Sequence, residues 1–346
     1  MKDSWAFLHG KPTTQCQMRS SMADFQVDEL LPFEPCGEGE HYLLHIEKTG
    51  ANTVFVARQL AKFFDVKEKF VSYAGLKDRF AVTTQWFGVH VPGKQTYDFD
   101  GLQIEGVKLL QAKRHNKKLK TGALLGNKFT LVLRNVSDAN LLAQRWEKIS
   151  KTGVPNYFGE QRFGIEGNNI AQAKAMFDGK RIKDKKKRSI YLSAARSLIF
   201  NDVVSKRIAQ SHFEQPILGD VFMLSGTQSI FAAEKIDDDI IDRFNRYDID
   251  ITAPLWGKGE LASFGQAAEI EQMVADAHQD FCDGLKKFGL KQERRRIRLM
   301  PEQTNIAIAG DDVTLTFFLP AGCFATTILR ELTQYEDLTQ RAQHDG

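Results

Sequence analysis

The sequence predicts an α/β (α+β) protein. A strand-rich core, residues 1–154 and 304–346, is interrupted by an inserted domain at 155–303. Strand and helix signals alternate up to about residue 150. Near residue 152 the texture changes to a Gly- and aromatic-rich turn, PNYFGEQRFG at Pro155–Gly164, and a long polar, helical stretch follows. Strand patterning resumes near residue 305. A pattern that is left and then resumed marks a discontinuous domain, and 346 residues suffice for two cores.

The elements follow in order. ADFQVDEL (Ala23–Leu30) alternates Phe25 and Val27 with acids, as an edge strand does. In HYLLHIEK (41–48), His41 and His45 would share a helix face, but Tyr42, Leu43, Leu44 and Ile46 favour a strand. Asn52 is placed to cap a helix with Val56, Leu60, Phe63 and Phe64 on one face. VSYAGL (71–76) is a short strand. Phe87, Val89 and Val91 alternate with Gly88 and His90, which predicts a half-buried strand. In GNKFTLVLRNV (126–136), Phe129, Leu131 and Leu133 share a face. Asp138 can cap a helix through Lys151 that turns Leu142, Trp146 and Ile149 inward. A helix is expected from Ser193, with Ala195, Ile199 and Val203 four apart. VTLTFFLPAG (313–322) reads as a strand and ILRELTQY as a short helix.

Net charge is only +3, too weak to imply a nucleic-acid partner. The distribution says more. Lys113–Lys120 (KRHNKKLK) holds five cations and no acid, Lys180–Arg188 (KRIKDKKKR) seven cations and one Asp, and Arg294–Arg298 (RRRIR) four cations. Such clusters are the footprint of phosphate binding, or else solvated faces. Cys16, Cys36, Cys282 and Cys323 are far apart, and no His or Cys pair has zinc-ligand spacing. A polar, mixed Met1–Gly10 and the lack of a long apolar run predict a reduced, cytoplasmic chain with no membrane partner. No phosphate-loop, dinucleotide or nucleophile-elbow motif is present.

Four constellations can carry chemistry. In GLKDRFAVTTQW, Asp78 sits between Lys77 and Arg79. A carboxylate among cations suits a nucleophile or base that needs no activating His, or a surface ion-pair turn. In GNKF, Asn127 and Phe129 lie two apart on one strand face. The amide can read a uracil edge and the ring can stack on it, or they are a loop Asn and a core Phe. In ADFQVDEL, Phe25 and Val27 alternate with acids as in an edge strand, and a simple strand accounts for them. In PAGCFATTILREL, Phe324 closes a pocket wall or anchors the helix that follows.

The ordered motifs then carry a resemblance. FxVxE (Phe25–Glu29), GxxxxxxIxKxGxNTxxxAxxLA (Gly39–Ala61), GLKDxxAxTxQ (Gly75–Gln85) and GNxF (Gly126–Phe129) come first. NYFGxQRFG (Asn156–Gly164), RSxYLSAxRSxxFN (Arg188–Asn201) and LPAGxFATxxLRE (Leu319–Glu331) follow. Together they resemble the TruD family of tRNA pseudouridine synthases over nearly the whole chain. The resemblance implies the mixed-sheet catalytic core of pseudouridine synthases, with residues 155–303 as the family's own inserted domain. It implies isomerisation of uridine 13 in certain transfer RNAs, with Asp78 as nucleophile. Phe129 would stack on the base, Asn127 would hydrogen-bond nearby, and Phe25 and Phe324 would line the pocket. Arg19 falls where the family tends to have Lys and is one candidate charge partner for Asp78; Lys77 is the other. An isomerisation loses no electrons or groups, so no cofactor or metal is expected. Transfer RNA is the expected partner, without an obligatory protein partner, and the chain is expected to be a monomer. Lys113, Arg114, Lys117, Lys118, Lys185, Lys186, Lys187 and Arg188, together with the RRRIR run, are expected to grip the tRNA backbone. A non-catalytic RNA-binding module and an RNA glycosidase are the alternatives.

Overall fold

A computed structural model describes residues 4–341. Along the chain lie β1 (Gln15–Met18), β2 (Phe25–Leu30), β3 (His41–Thr49), α1 (Thr53–Phe63), β4 (Val71–Tyr73), β5 (Val82–His90), β6 (Val107–His115), β7 (Gly126–Arg134) and α2 (Ala139–Thr152). Next come β8 (Val154–Pro155), α3 (Asn168–Phe177), α4 (Lys185–Ala209), β9 (Val221–Leu224), β10 (Ile230–Ala232), α5 (Asp238–Asn245), β11 (Ile249–Leu255), α6 (Gly265–Ala277), α7 (Gln279–Lys287), β12 (Glu293–Arg296) and β13 (Arg298–Leu299). The last are β14 (Glu302–Ala309), β15 (Asp312–Pro320), α8 (Ala325–Leu332), β16 (Gln334–Asp337) and α9 (Leu338–Arg341). The described residues divide into two compact units. One comprises 13–151, 301–325 and 332–341, the other 4–12, 152–300 and 326–331.

The first unit is built on a mixed sheet in the order β14-β15-β7-β2-β5-β3-β6. β2 and β5 are parallel; the other neighbours along that path are antiparallel. β1 pairs antiparallel with β7 and parallel with β16. α1 starts at Asn52, whose side chain accepts a hydrogen bond from Val54 N, and it buries Val56 and Leu60. β7 buries Phe129, Leu131 and Leu133 on one face. Its first residue must be glycine, because a Cβ on Gly126 would lie 2.3 Å from the Leu319 carbonyl oxygen.

Several elements differ from expectation. β2 is no edge strand but lies between β7 and β5, so its acids Asp28 and Glu29 meet partners inside the sheet. β5 is buried on both faces rather than one, because Phe87 and Val89 pack with Val56 and Leu60 of α1 while Trp86 packs with Leu43 and Leu119. Strand structure at 71–76 stops at Tyr73, which leaves the GLKD stretch as a loop. The helix expected from Ser193 begins at Lys185. Its signal was Asp184, whose carboxylate caps Lys186 N and Lys187 N; the exposed lysine turn that follows has no apolar period to read. ILRELTQY is helix only to Leu332, and Gln334–Asp337 pairs with β1 as a strand.

The second unit has an antiparallel sheet, β10-β9-β11-β12, with α4 packed on β11, α3, α6 and α7. The RRRIR run is spent inside this unit. Arg294 pairs with buried Glu271 at 2.8 Å, Arg295 donates to Asn156 Oδ1 at 2.6 Å, Arg296 pairs with Asp250 at 3.5 Å, and buried Arg298 donates to Thr152 O at 2.8 Å. Guanidinium groups engaged in this way are not a phosphate patch, which corrects that expectation. Among the described residues no helix is long and apolar enough to cross a membrane.

Candidate active site

The loop between β4 and β5 carries Asp78, and buried polar groups hold that loop in place. Gln85 Nε2 donates to Gly75 O at 2.5 Å. The Thr53 hydroxyl donates to Gln85 Oε1 at 3.0 Å and accepts from Lys77 N at 3.1 Å. Lys77 Nζ lies 2.6 Å from the fully buried Glu29 carboxylate, whose other oxygen accepts from Trp86 N. Lys48, fully buried, donates to Ala51 O at 2.9 Å and to Asp78 O at 2.7 Å. Burial pushes the Lys48 ammonium down to about 8, while the Asp78 charge pulls it the other way. Leu76 is 70% exposed on a turn whose neighbours are all tied down.

Neither sequence neighbour of Asp78 pairs with it. Lys77 goes to Glu29, so it is not the charge partner, and Arg79 donates to Gly50 O at 3.1 Å. The partner is Arg19, whose Nη2 lies 2.8 Å from Asp78 Oδ2. Arg19 follows β1 with a φ of 60°, in the left-handed region that non-glycine residues seldom adopt. Its Nη1 reaches Asp337 Oδ2 at 3.2 Å, and its guanidinium lies 4.2 Å from the Phe25 ring centre. Asp337 is held in turn by the Thr339 hydroxyl at 2.7 Å. Asp337 had no sequence signal, since an acid in a short C-terminal strand is unremarkable. Asp78 is 39% exposed, and its Oδ1 has no partner among the described residues.

The aromatic residues gather beside Arg19. Phe25 meets Phe129 edge-on at 6.4 Å, and Phe129 stacks on Phe317 at 5.4 Å. Sheet register sets Val27 opposite Phe129 and Glu29 opposite Asn127. Asn127 shares a face of β7 with Phe129, and its buried Oδ1 carries no hydrogen bond. Phe324 is half-buried in the turn between β15 and α8. Among the described residues no group of three or more His, Cys, Asp and Glu side chains could hold a metal ion.

The basic runs divide. Lys113, Lys117 and Lys118 are exposed, but Arg114 is spent on the carbonyls of Gly39, Gly93 and Gln95 and on the Tyr42 ring. Lys185, Lys186 and Lys187 are exposed on the first turn of α4, and Arg188 is half-buried.

The mixed-sheet α/β core thus carries a half-exposed carboxylate bonded to an arginine, and that arginine lies over Phe25, which meets Phe129 edge-on. The comparisons with known proteins narrow the class. A family model of tRNA pseudouridine synthase D (TruD) matches residues 3–181 and 169–332. The tRNA pseudouridine synthase D of Colwellia psychrerythraea is 59% identical, over 97% of this chain and 94% of that one. The Aeromonas hydrophila enzyme of the same name is 50% identical, over 97% of this chain and 96% of its own. A crystal structure of a Methanosarcina mazei chain assigned to tRNA pseudouridine synthase D shares the fold, with TM-score 0.68, 22% identity and coverage of 96% and 95%. The chain belongs to the TruD family and is an isomerase of the pseudouridine synthase class.

Proposed function

We propose that this chain isomerises uridine 13 of certain transfer RNAs to pseudouridine, with Asp78 as the nucleophile. The observation that carries this is the carboxylate itself. One oxygen is fixed by the buried Arg19 and the other is unpartnered and open to solvent, on a loop clamped by Lys48, Thr53, Gln85 and Glu29. The relatives' shared name supports tRNA as the substrate.

The reaction breaks the N1–C1′ bond and forms C5–C1′, while the proton on C5 is replaced by one on N1. No electrons are gained or lost. Asp78 Oδ1 can attack C1′ or ring carbon C6, and the arrangement serves either route. Asn127 Oδ1, buried and unsatisfied, is a ready acceptor for the uracil N3–H. Phe129 supplies a face or edge for the base, and Phe25 and Phe324 bound the pocket. A uridine inside a folded RNA must be turned out to reach Asp78, at a cost of about a few kcal/mol, offset by stacking and phosphate contacts. Lys113, Lys117 and Lys118, and separately Lys185, Lys186, Lys187 and Arg188, supply exposed cations for those phosphates.

The test is product analysis with wild-type protein and transcripts that carry uridine 13. Pseudouridine mapped to that position is expected. Pseudouridine elsewhere only would overturn the position, and release of free uracil would replace the isomerase with a glycosidase.

A further inference from the structure

Residues 117–121 leave β6 as a basic ridge. Leu119 is buried against Leu43 and Trp86, so Lys118 and Lys120 beside it turn outward and are exposed, as is Lys117. Gly122 N donates to Ala74 O at 2.7 Å, which ties the ridge to the residue before Gly75. From Lys113 to Thr121 there is no acid.

Two hollows share Lys118 and Lys120 as a wall. The larger, about 550 Å³, is lined also by Phe33, His115, Asn116 and Ala123. The smaller, about 440 Å³, is lined by Val71, Ser72 and Tyr73. In the larger, the half-buried Phe33 ring stacks on buried His115, with ring centres 4.9 Å apart and planes at 11°. Cys36 N donates to His115 Nδ1, which leaves Nε2–H as the ring's donor. Burial and Lys117 push His115 below its usual range, so the ring is neutral at pH 7. Tyr73 is five residues from Asp78, at most about 18 Å along an extended chain. That is the reach of a few nucleotides.

The partly exposed rings of Phe33 and Tyr73, flanked by unopposed lysines, suit bases with free faces and phosphates between them, which a duplex does not offer. We infer that this ridge is a single-stranded RNA subsite. Unpaired nucleotides adjoining the target uridine place their bases in the hollows, against Phe33–His115 and Tyr73, and their phosphates on Lys117, Lys118 and Lys120. The inference rests on the RNA-modifying reading above, but its test needs no turnover.

The test is fluorescence anisotropy with a labelled oligouridylate of about six residues, inside the range of single-strand site sizes. Phe33→Leu keeps apolar volume and removes the aromatic face. It should weaken binding about tenfold, and Phe33→Tyr should restore it. Lys118→Ala/Lys120→Ala should lower the slope of log K against log salt by about 1.4, two single-strand phosphates at about 0.7 each. Wild-type affinity in Phe33→Leu, equal loss in Phe33→Leu and Phe33→Tyr, or an unchanged salt slope would each overturn the subsite. Phe33-dependent binding by a protein that makes no pseudouridine would leave the subsite standing and overturn the reaction. Pseudouridine formation with unaltered binding by the variants would do the reverse.

Discussion

Two arginine–aspartate pairs in this chain are built to opposite plans. Arg207 and Asp220 are sealed, with side chains 1% and 0% exposed, and joined by two parallel bonds of 2.7 and 2.9 Å. Arg207 also donates to His212 O, and Asp220 accepts from Ile217 N. Arg19 and Asp78 share one bond of 2.8 Å, with side chains 6% and 39% exposed, and the arginine divides itself between Asp78 and Asp337. The first pair has used its bonding capacity on the fold. The second keeps one carboxylate oxygen unspent at the solvent boundary, where a substrate can meet it. Burial and bond count separate a structural ion pair from one available for chemistry; the residue types do not.

Breaking the sealed pair should have the largest effect on stability. Asp220→Asn leaves a buried guanidinium without its counter-charge, and urea unfolding should show a loss of about 3–5 kcal/mol. A loss under about 1 kcal/mol would remove the contrast. Lys48, beneath the open pair, comes next. Its folded value is about 8 against the ordinary 10.5. The unfolded chain therefore holds that proton more tightly, so stability is penalised below pH 8 and recovers as pH rises from about 8 to about 10.5. The recovery is on the order of 3 kcal/mol. Lys48→Met should flatten that rise relative to wild type, and parallel stability curves would contradict the assignment.

Smaller effects sharpen the open pair. Arg19→Met removes the group that fixes the carboxylate, and the single-turnover rate should fall about a hundredfold, as when one preorganised donor is lost from a site. Arg19→Lys should lose about tenfold, because a point ammonium keeps the charge but cannot fork between Asp78 and Asp337. A wild-type rate in Arg19→Lys would show that the fork is idle, and equal losses in both variants would show that charge without the fork contributes nothing.

Local signals in the sequence were readable where a local cause exists. Asn52 caps α1, Asp138 caps α2 through its bond to Leu141 N, and the alternation in β7 places Phe129, Leu131 and Leu133 inward. Long-range partners were not readable. Lys77 and Arg79 flank Asp78 in sequence, yet the turn directs them to Glu29 and Gly50. The actual partner lies 59 residues away. Arg19 entered only through the family pattern, and Asp337 through no pattern, since its role depends on β16 lying parallel to β1 with Met18 opposite it. β2 looked like an edge strand because alternation alone cannot tell an edge strand from one with neighbours on both sides. The RRRIR run looked like a phosphate patch because charge density does not show which guanidinium groups already have acids and carbonyls to bind.

The central claim is that Asp78 performs the chemistry while contributing little to the fold. The most direct test is the single-turnover rate of pseudouridine formation by Asp78→Asn against wild type on one tRNA, with the tRNA Kd and Tm of both proteins measured alongside. A rate loss of at least about 10⁴-fold, with Kd and Tm unchanged, is the predicted result. A variant that keeps its rate within about tenfold of wild type would contradict it.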